Sequence, residues 1–332
     1  MGSAFAYTDT TIRALMARHG DVTRVPEQPR IVTDTTDFFH VESDDVLLLG
    51  GTPFWIRGFE REGRFGLDEE PKYWVRRAID LSDGSTKVIK LEFHEEFETQ
   101  LGGVAIRRFR SPRKEARILD LVRGHPHFMH GRWALDAAGN NVRVLDFIRG
   151  RRYDQLTVGL GSDHHDYFHC HLPAVLTEFA DLVRAIRFLH ERGEKHGDIR
   201  RDHVIWDRDL LVNRWIDFDY DYVHGESLSS FDLQGLGNIL IFLVGRGDVL
   251  PQDLRRDAPV LYARLAREDL SITFGNRVAN LRKIYPYIPE SLNRVLLHFS
   301  EGANIFYDAA DQLLEDLAEA QADVTSTIGR PT

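Results

Sequence analysis

The sequence predicts an α+β protein in two parts, a strand-rich front and a mostly helical back. Three observations carry this. Short apolar runs broken by Gly-Gly, Asp-Gly and Asn-Asn turns recur as far as Ile148. From Leu172 onward, apolar residues recur at helical spacing. Between the two, near Arg149-Gly150-Arg151, the character of the chain changes. The expected division is an N-terminal extension over 1–45, a small lobe over 46–149 and a larger lobe over 150–332. The extension is expected to pad the small lobe.

The elements follow in order. Ile12, Leu15 and Met16 share one side of a short helix over Thr10–His19. A polar, Pro-containing stretch runs to about Thr36. Val46–Leu49 and Phe54–Ile56 read as strands split by Gly50-Gly51. Tyr73–Ile79 and Val88–Leu91 read as a hairpin turned by Asp83-Gly84. Arg113–Val122 has helical spacing. Asn140-Asn141 turns the chain into a strand over Val142–Ile148. Leu176, Phe179, Leu182, Val183, Ile186 and Leu189 form the stripe of a helix over Leu172–Glu191. Two short strands flank Asp207–Asn213. Beyond Asp232 the chain reads as helical to near its end, with fraying expected from Asp323.

Composition narrows the function. The chain has 332 residues, 42% of them hydrophobic, so a sizeable core is expected. Its net charge of -10 argues against a nucleic-acid backbone or an anionic membrane as the main partner. Cys170 is the single cysteine, which fits a reducing, cytoplasmic setting. No signal-type apolar run opens the sequence. The longest apolar stretch, Ile239–Val244, is too short to span a bilayer.

Two acids stand out. Asp198 lies in Lys195-His196-Gly197-Asp198-Ile199-Arg200-Arg201-Asp202-His203, a turn after the long helix. Asp217 lies in Trp215-Ile216-Asp217-Phe218-Asp219, past a short hairpin. An acid there, in an apolar strand context, is costly unless it has a partner. His19-Gly20-Asp21 repeats the His-Gly-Asp triplet without that context and reads as a helix end plus turn.

With these motifs in this order, the chain resembles the protein-kinase-like superfamily from about Phe54 onward. The resemblance implies a bilobal fold, with a small antiparallel-sheet lobe and a mostly helical lobe. It implies that Asp198 accepts the proton of an acceptor hydroxyl, or orients it. It implies that Asp217 ligates Mg²⁺, with Mn²⁺ an alternative, on the phosphates of ATP. Lys90 in Val88-Ile89-Lys90 would neutralise the α- and β-phosphates, aimed by Glu115. Asp146, Phe147 and Ile148 resemble the hinge that meets an adenine edge. Gly63 and Gly66, in Glu62-Gly63-Arg64-Phe65-Gly66, would approach phosphates, with a plain turn the equal alternative. Asp232 resembles the acid that caps amides of the catalytic loop.

The pattern departs from protein kinases in several places. His203 stands where the family has a metal-binding Asn; its imidazole suits Mn²⁺ or Zn²⁺ better than Mg²⁺, and the alternatives are takeover by Asp202, loss of one metal, or a His203 that only hydrogen-bonds near the loop. Gly197 replaces the arginine that reads an activation-loop phosphate. Asp217 to Asp232 is short, which resembles aminoglycoside phosphotransferases and atypical kinases. Arg200 is a candidate for charge on the transferred phosphate, or else a salt-bridge partner of Asp202 or Asp207. Asp217, Asp219 and Asp221 would face one side if their strand ran on, with Asp221 expected to be solvated. Asp163–His171, rich in His, is expected to be a polar loop.

The expected function is ATP-dependent phosphoryl transfer to a hydroxyl of a small molecule or protein. The alternatives are a pseudokinase scaffold and a nucleotidyltransferase on the same fold.

Overall fold

The computed structural model describes residues 7–20, 25–62, 70–101, 104–223 and 229–328. The chain divides into two compact units. The first comprises Met1–Glu95, Arg110–His125 and Met129–Ile148; the second comprises Glu96–Phe109, Pro126–Phe128 and Arg149–Thr332. The class is α+β, as expected.

The front of the chain supplies α1 (Asp9–His19), β1 (Ile31–Val32), β2 (Val46–Leu49), β3 (Thr52–Glu62), β4 (Glu70–Asp80) and β5 (Thr86–Lys90). Then come β6 (Glu96–Leu101) and β7 (Val104–Arg110), nearly all within the second unit. α2 (Pro112–Leu121), β8 (Gly131–Leu135) and β9 (Asn141–Asp146) complete the first unit. Its sheet runs β1-β2-β3-β4-β5-β9-β8, and each pairing after the parallel β1–β2 is antiparallel. Gly50 and Gly51 turn β2 into β3 with φ of 56° and 81°, backbone that favours glycine. Alternation then sends Leu47, Leu49, Phe54, Ile56, Ile89, Val142 and Val144 into one core. α1 packs Ile12 and Met16 against Val46, Trp55 and Leu81. Burying each such side chain stabilises by roughly 1.5–3 kcal/mol.

The second unit continues with β10 (Gly150–Arg152), α3 (Tyr153–Val158), α4 (His164–Cys170), α5 (Leu172–His190), β11 (Val204–Asp207), β12 (Val212–Trp215) and β13 (Tyr220–Val223). It ends with α6 (Ser230–Gly245), α7 (Pro251–Asp257), α8 (Pro259–Tyr262), α9 (Glu290–Leu297) and α10 (Ala310–Ile328). Its strands form two sheets, β10-β11-β12 and β13-β7-β6. Gly150 is needed where it stands: a Cβ there would lie 2.0 Å from the Trp206 carbonyl oxygen on β11. α6 is buried almost all round, from Leu233 to Val244, and α5 buries its stripe. α10 packs on α5 and α9.

Three local expectations fail. Asp163–His171 is no polar loop: Asp163 caps α4 by accepting from the Asp166 amide at 2.8 Å. His164 stacks on Tyr285 with ring centroids 3.4 Å apart. Its Nε2 donates to the Val244 carbonyl and its Nδ1 meets the Tyr287 hydroxyl. Burial pushes its pKa down to about 4, so the ring is neutral at pH 7. Fraying from Asp323 fails too, because α10 runs to Ile328 and buries Val324. The stretch after α6 is only partly helical: α7 and α8 are short, and short 3-10 turns are the only other helical pieces before α9. Cys170 is exposed, and its hydrogen bond to the Asp166 carboxylate pushes the thiol pKa up, the opposite of a reactive setting.

Candidate active site

In the first unit, β5 ends on Lys90 and α2 carries Glu115 in its first turn. Pro112 and the Ser111 cap set the start of α2, and that start fixes where Glu115 falls. Lys90 Nζ donates to Glu115 Oε1 at 2.7 Å. Arg143 on β9 donates through Nε to the other oxygen, Oε2, at 3.0 Å. All three side chains are buried. Arg143 escaped the sequence reading, although a charge flanked by Val142 and Val144 signals a buried partner.

In the second unit, the turn after α5 is held by Asp232 near the start of α6. Its carboxylate accepts from the amides of His196 at 2.7 Å and Gly197 at 2.8 Å. Gly197 has φ of +83°, which lets both amides turn toward one carboxylate. A side chain at that backbone angle would be strained. His190 Nε2 adds a third contact to Asp232 at 3.1 Å. Burial alone would raise the Asp232 pKa. The His190 hydrogen bond, the His190 and His196 charges and the Gly197 amide outweigh it and bring it to about 2. A depressed carboxylate stabilises the fold fully above its unfolded value near 3.8, and that contribution is lost as pH falls toward about 2. The contribution is ~2 kcal/mol. Asp232→Ala is therefore expected to lower stability at pH 7 by about 2–5 kcal/mol, since it strands two buried amides. The difference from wild type should shrink below pH 3. Urea denaturation at pH 7 and pH 2.5 checks this, and a constant difference would refute it.

His203 brings the two acids together. Its Nδ1 donates to the Asp198 carbonyl oxygen at 2.9 Å and lies 3.4 Å from Asp198 Oδ2. Its Nε2 lies 3.7 Å from Asp217 Oδ2. A carbonyl can only accept, so Nδ1 carries a proton, which leaves Nε2, on the side of Asp217, as the ring nitrogen that could offer a lone pair to a metal. That nitrogen and the Asp217 carboxylate suit a single divalent ion with ligand distances of about 2.1 Å. Among the described residues no group of three or more His, Cys, Asp and Glu is gathered as a metal cage. Mg²⁺ and Mn²⁺ on a nucleotide need none, because phosphates and waters complete their shell.

Asp217 does not sit in a continuing strand. Its φ is +60°, and β13 begins only at Tyr220, so the three acids do not alternate along one strand. The left-handed backbone costs on the order of 1–3 kcal/mol outside glycine, and Asp tolerates it better than most residues. Asp219 is buried. Asp221 is half-buried and pairs with Lys195 at 3.0 Å, not solvated.

Arg200 pairs with Asp202. Its Nε and Nη2 reach the two oxygens of Asp202 at 3.0 and 2.5 Å, while its Nη1 lies 4.0 Å from Asp198. The closest cation to Asp198 is one the sequence reading missed. Arg108 on β7 donates through Nη2 to Asp198 Oδ1 at 2.6 Å. Burial would raise the Asp198 pKa, but His203, Arg108 and Arg200 together hold it below the usual carboxylate range.

Asp146 ends β9 and pairs with Lys87 at 2.7 Å; Phe147 lies under the Arg77 guanidinium, 5.0 Å away. Ile148 closes the first unit. Gly63 and Gly66 lie outside the described residues.

No protein-family model matches the chain, and no curated protein matches it. Solved structures do match. One is the PknI kinase domain of Mycobacterium tuberculosis, with 16% identity and a TM-score of 0.42. The match covers 82% of this chain and 97% of that domain. At that distance the residue roles rest on the geometry of this chain. No helix among the described residues is long and apolar enough to cross a membrane.

Proposed function

We propose that the chain is an ATP-dependent phosphotransferase that moves the γ-phosphate to a hydroxyl of a small molecule or protein. The observation that carries this is the single imidazole of His203 bracketed by the carboxylates of Asp198 and Asp217. Phosphoryl transfer depends mostly on positioning and charge neutralisation, and two acids held in register serve both. Asp198 would orient the acceptor hydroxyl and take its proton. Asp217 and His203 would hold Mg²⁺ or Mn²⁺, which supplies charge neutralisation on the phosphates. Lys90, aimed by Glu115, would pair with the α- and β-phosphates. Asp146, Phe147 and Ile148 would offer backbone to the adenine edge.

Thermal denaturation with ATP and either metal tests binding, since a ligand of the native state raises its stability. At ATP a hundredfold above its Kd the gain is about 2.7 kcal/mol. The nitrogen ligand should make the gain larger with Mn²⁺ than with Mg²⁺. No shift with either metal would sink the reading. Label from γ-labelled ATP should appear in products. Label from the α position would mean nucleotidyl transfer instead. A regulatory scaffold gains support from one contact, the Arg108 cation on Asp198.

A further inference from the structure

We propose that the β6–β7 hairpin is an autoinhibitory latch that closes on Asp198 through Arg108, and that phosphoryl transfer requires Arg108 to leave. This rests on the phosphotransferase reading above. The hairpin is inserted in the chain between the strand of Lys90 and the helix of Glu115. Within the second unit β7 lies between β6 and β13. β13 begins at Tyr220, just past Asp217, so the inserted hairpin pairs with the segment that follows the metal-binding candidate.

Alternation along β7 separates two arginines. Arg107 is exposed and pairs with Glu96 across the hairpin at 2.5 Å. Arg108 turns inward, donating through Nη2 to Asp198 Oδ1 at 2.6 Å and to the Gly197 carbonyl at 2.9 Å. Its guanidinium carbon lies 5.2 Å from the centre of Phe97, 4.9 Å from Tyr220 and 4.8 Å from Phe231. These rings come from β6, β13 and α6, and each adds cation–π attraction to the ion pair. At the root of the hairpin, Arg110 pairs with Glu95 at 2.9 Å.

This arrangement fits a latch better than a catalytic cation. An arginine acting on a transferred phosphate must aim donors at it. Here Nη2 is spent on Asp198 and Gly197, and aromatic rings surround the guanidinium. Asp198 fares no better. Its Oδ1 is occupied by Arg108, and its Oδ2 faces His203 at 3.4 Å and Arg200 at 4.0 Å. A general base must come within hydrogen-bond reach of the acceptor hydroxyl, and here Oδ1 is taken by Arg108 while Oδ2 is turned toward His203.

ADP release from ATP and Mg²⁺ tests the latch, because water serves as acceptor and no substrate need be known. The full chain is compared as wild type, Arg108→Ala, Arg108→Lys and the Arg108→Ala/Asp198→Asn double variant. Freeing the base should raise ADP release roughly tenfold or more in Arg108→Ala, with the ATP-induced thermal shift unchanged. The double variant should lose that gain. Hydrogen exchange should quicken at 104–109 and 220–222 in Arg108→Ala. Arg108→Lys, which keeps the charge but not the fork, should give a smaller gain and becomes decisive if the alanine variant does not fold. An intact ATP shift with unchanged or lower ADP release would overturn the latch. An ATP shift absent from every protein would overturn the phosphotransferase reading, and the latch with it.

Discussion

Asp198→Asn is expected to lower phosphoryl transfer by about 10²–10⁴-fold, the usual worth of a positioned general base. The amide keeps the shape of the side chain but can take no proton. Nucleotide binding should survive, because Asp198 is assigned to the acceptor and Asp217 with Lys90 to the nucleotide. The ATP-induced rise in Tm is thus expected to match wild type while label transfer from γ-labelled ATP collapses. If affinity falls as far as turnover does, Asp198 acts on the nucleotide and its role as base is wrong. Stability is a separate matter. The amide oxygen can still accept from Arg108, but the countercharge from Asp198 is gone. Denaturant melts of the variant must therefore accompany the kinetics.

Glu115→Ala should give the largest loss of stability. The carboxylate is fully buried between Lys90 and Arg143, at 2.7 and 3.0 Å. Breaking a buried ion pair costs about 3–5 kcal/mol, because the partner is left charged in a dry place. Here two cations lose the same partner. Lys90→Met should behave differently: Glu115 keeps Arg143, so stability falls less, yet nucleotide affinity is lost. Urea denaturation of both variants, with and without ATP, separates the two. A Lys90→Met variant less stable than Glu115→Ala would mean that Arg143 does not neutralise Glu115.

Much of this was legible in local pattern. The Lys90 strand, the Glu115 helix, the long helix before Asp198 and the hairpin before Asp217 all announce themselves by spacing. Their signals lie within a few residues of each other, where period and turn chemistry dominate. The alternation inferred for Asp217, Asp219 and Asp221 failed for the same kind of reason. A left-handed residue interrupts the strand, and nothing in Asp-Phe-Asp-Tyr-Asp requires one. The His-rich run misled because polar composition was read as loop. His164 instead finds aromatic and carbonyl partners on distant elements, Tyr285 and Val244.

The sequence by itself placed the strand of Lys90, the helix of Glu115 and the long helix before Asp198, since these follow from neighbours along the chain; it did not show the β6–β7 hairpin. Only the tertiary structure decided what each acid faces. Arg108 reaches Asp198 from 90 positions away and Arg143 reaches Glu115 from 28. An ion pair that is distant in sequence leaves no period to read. It exists because burying one charge demands another, and the fold alone selects which cation answers.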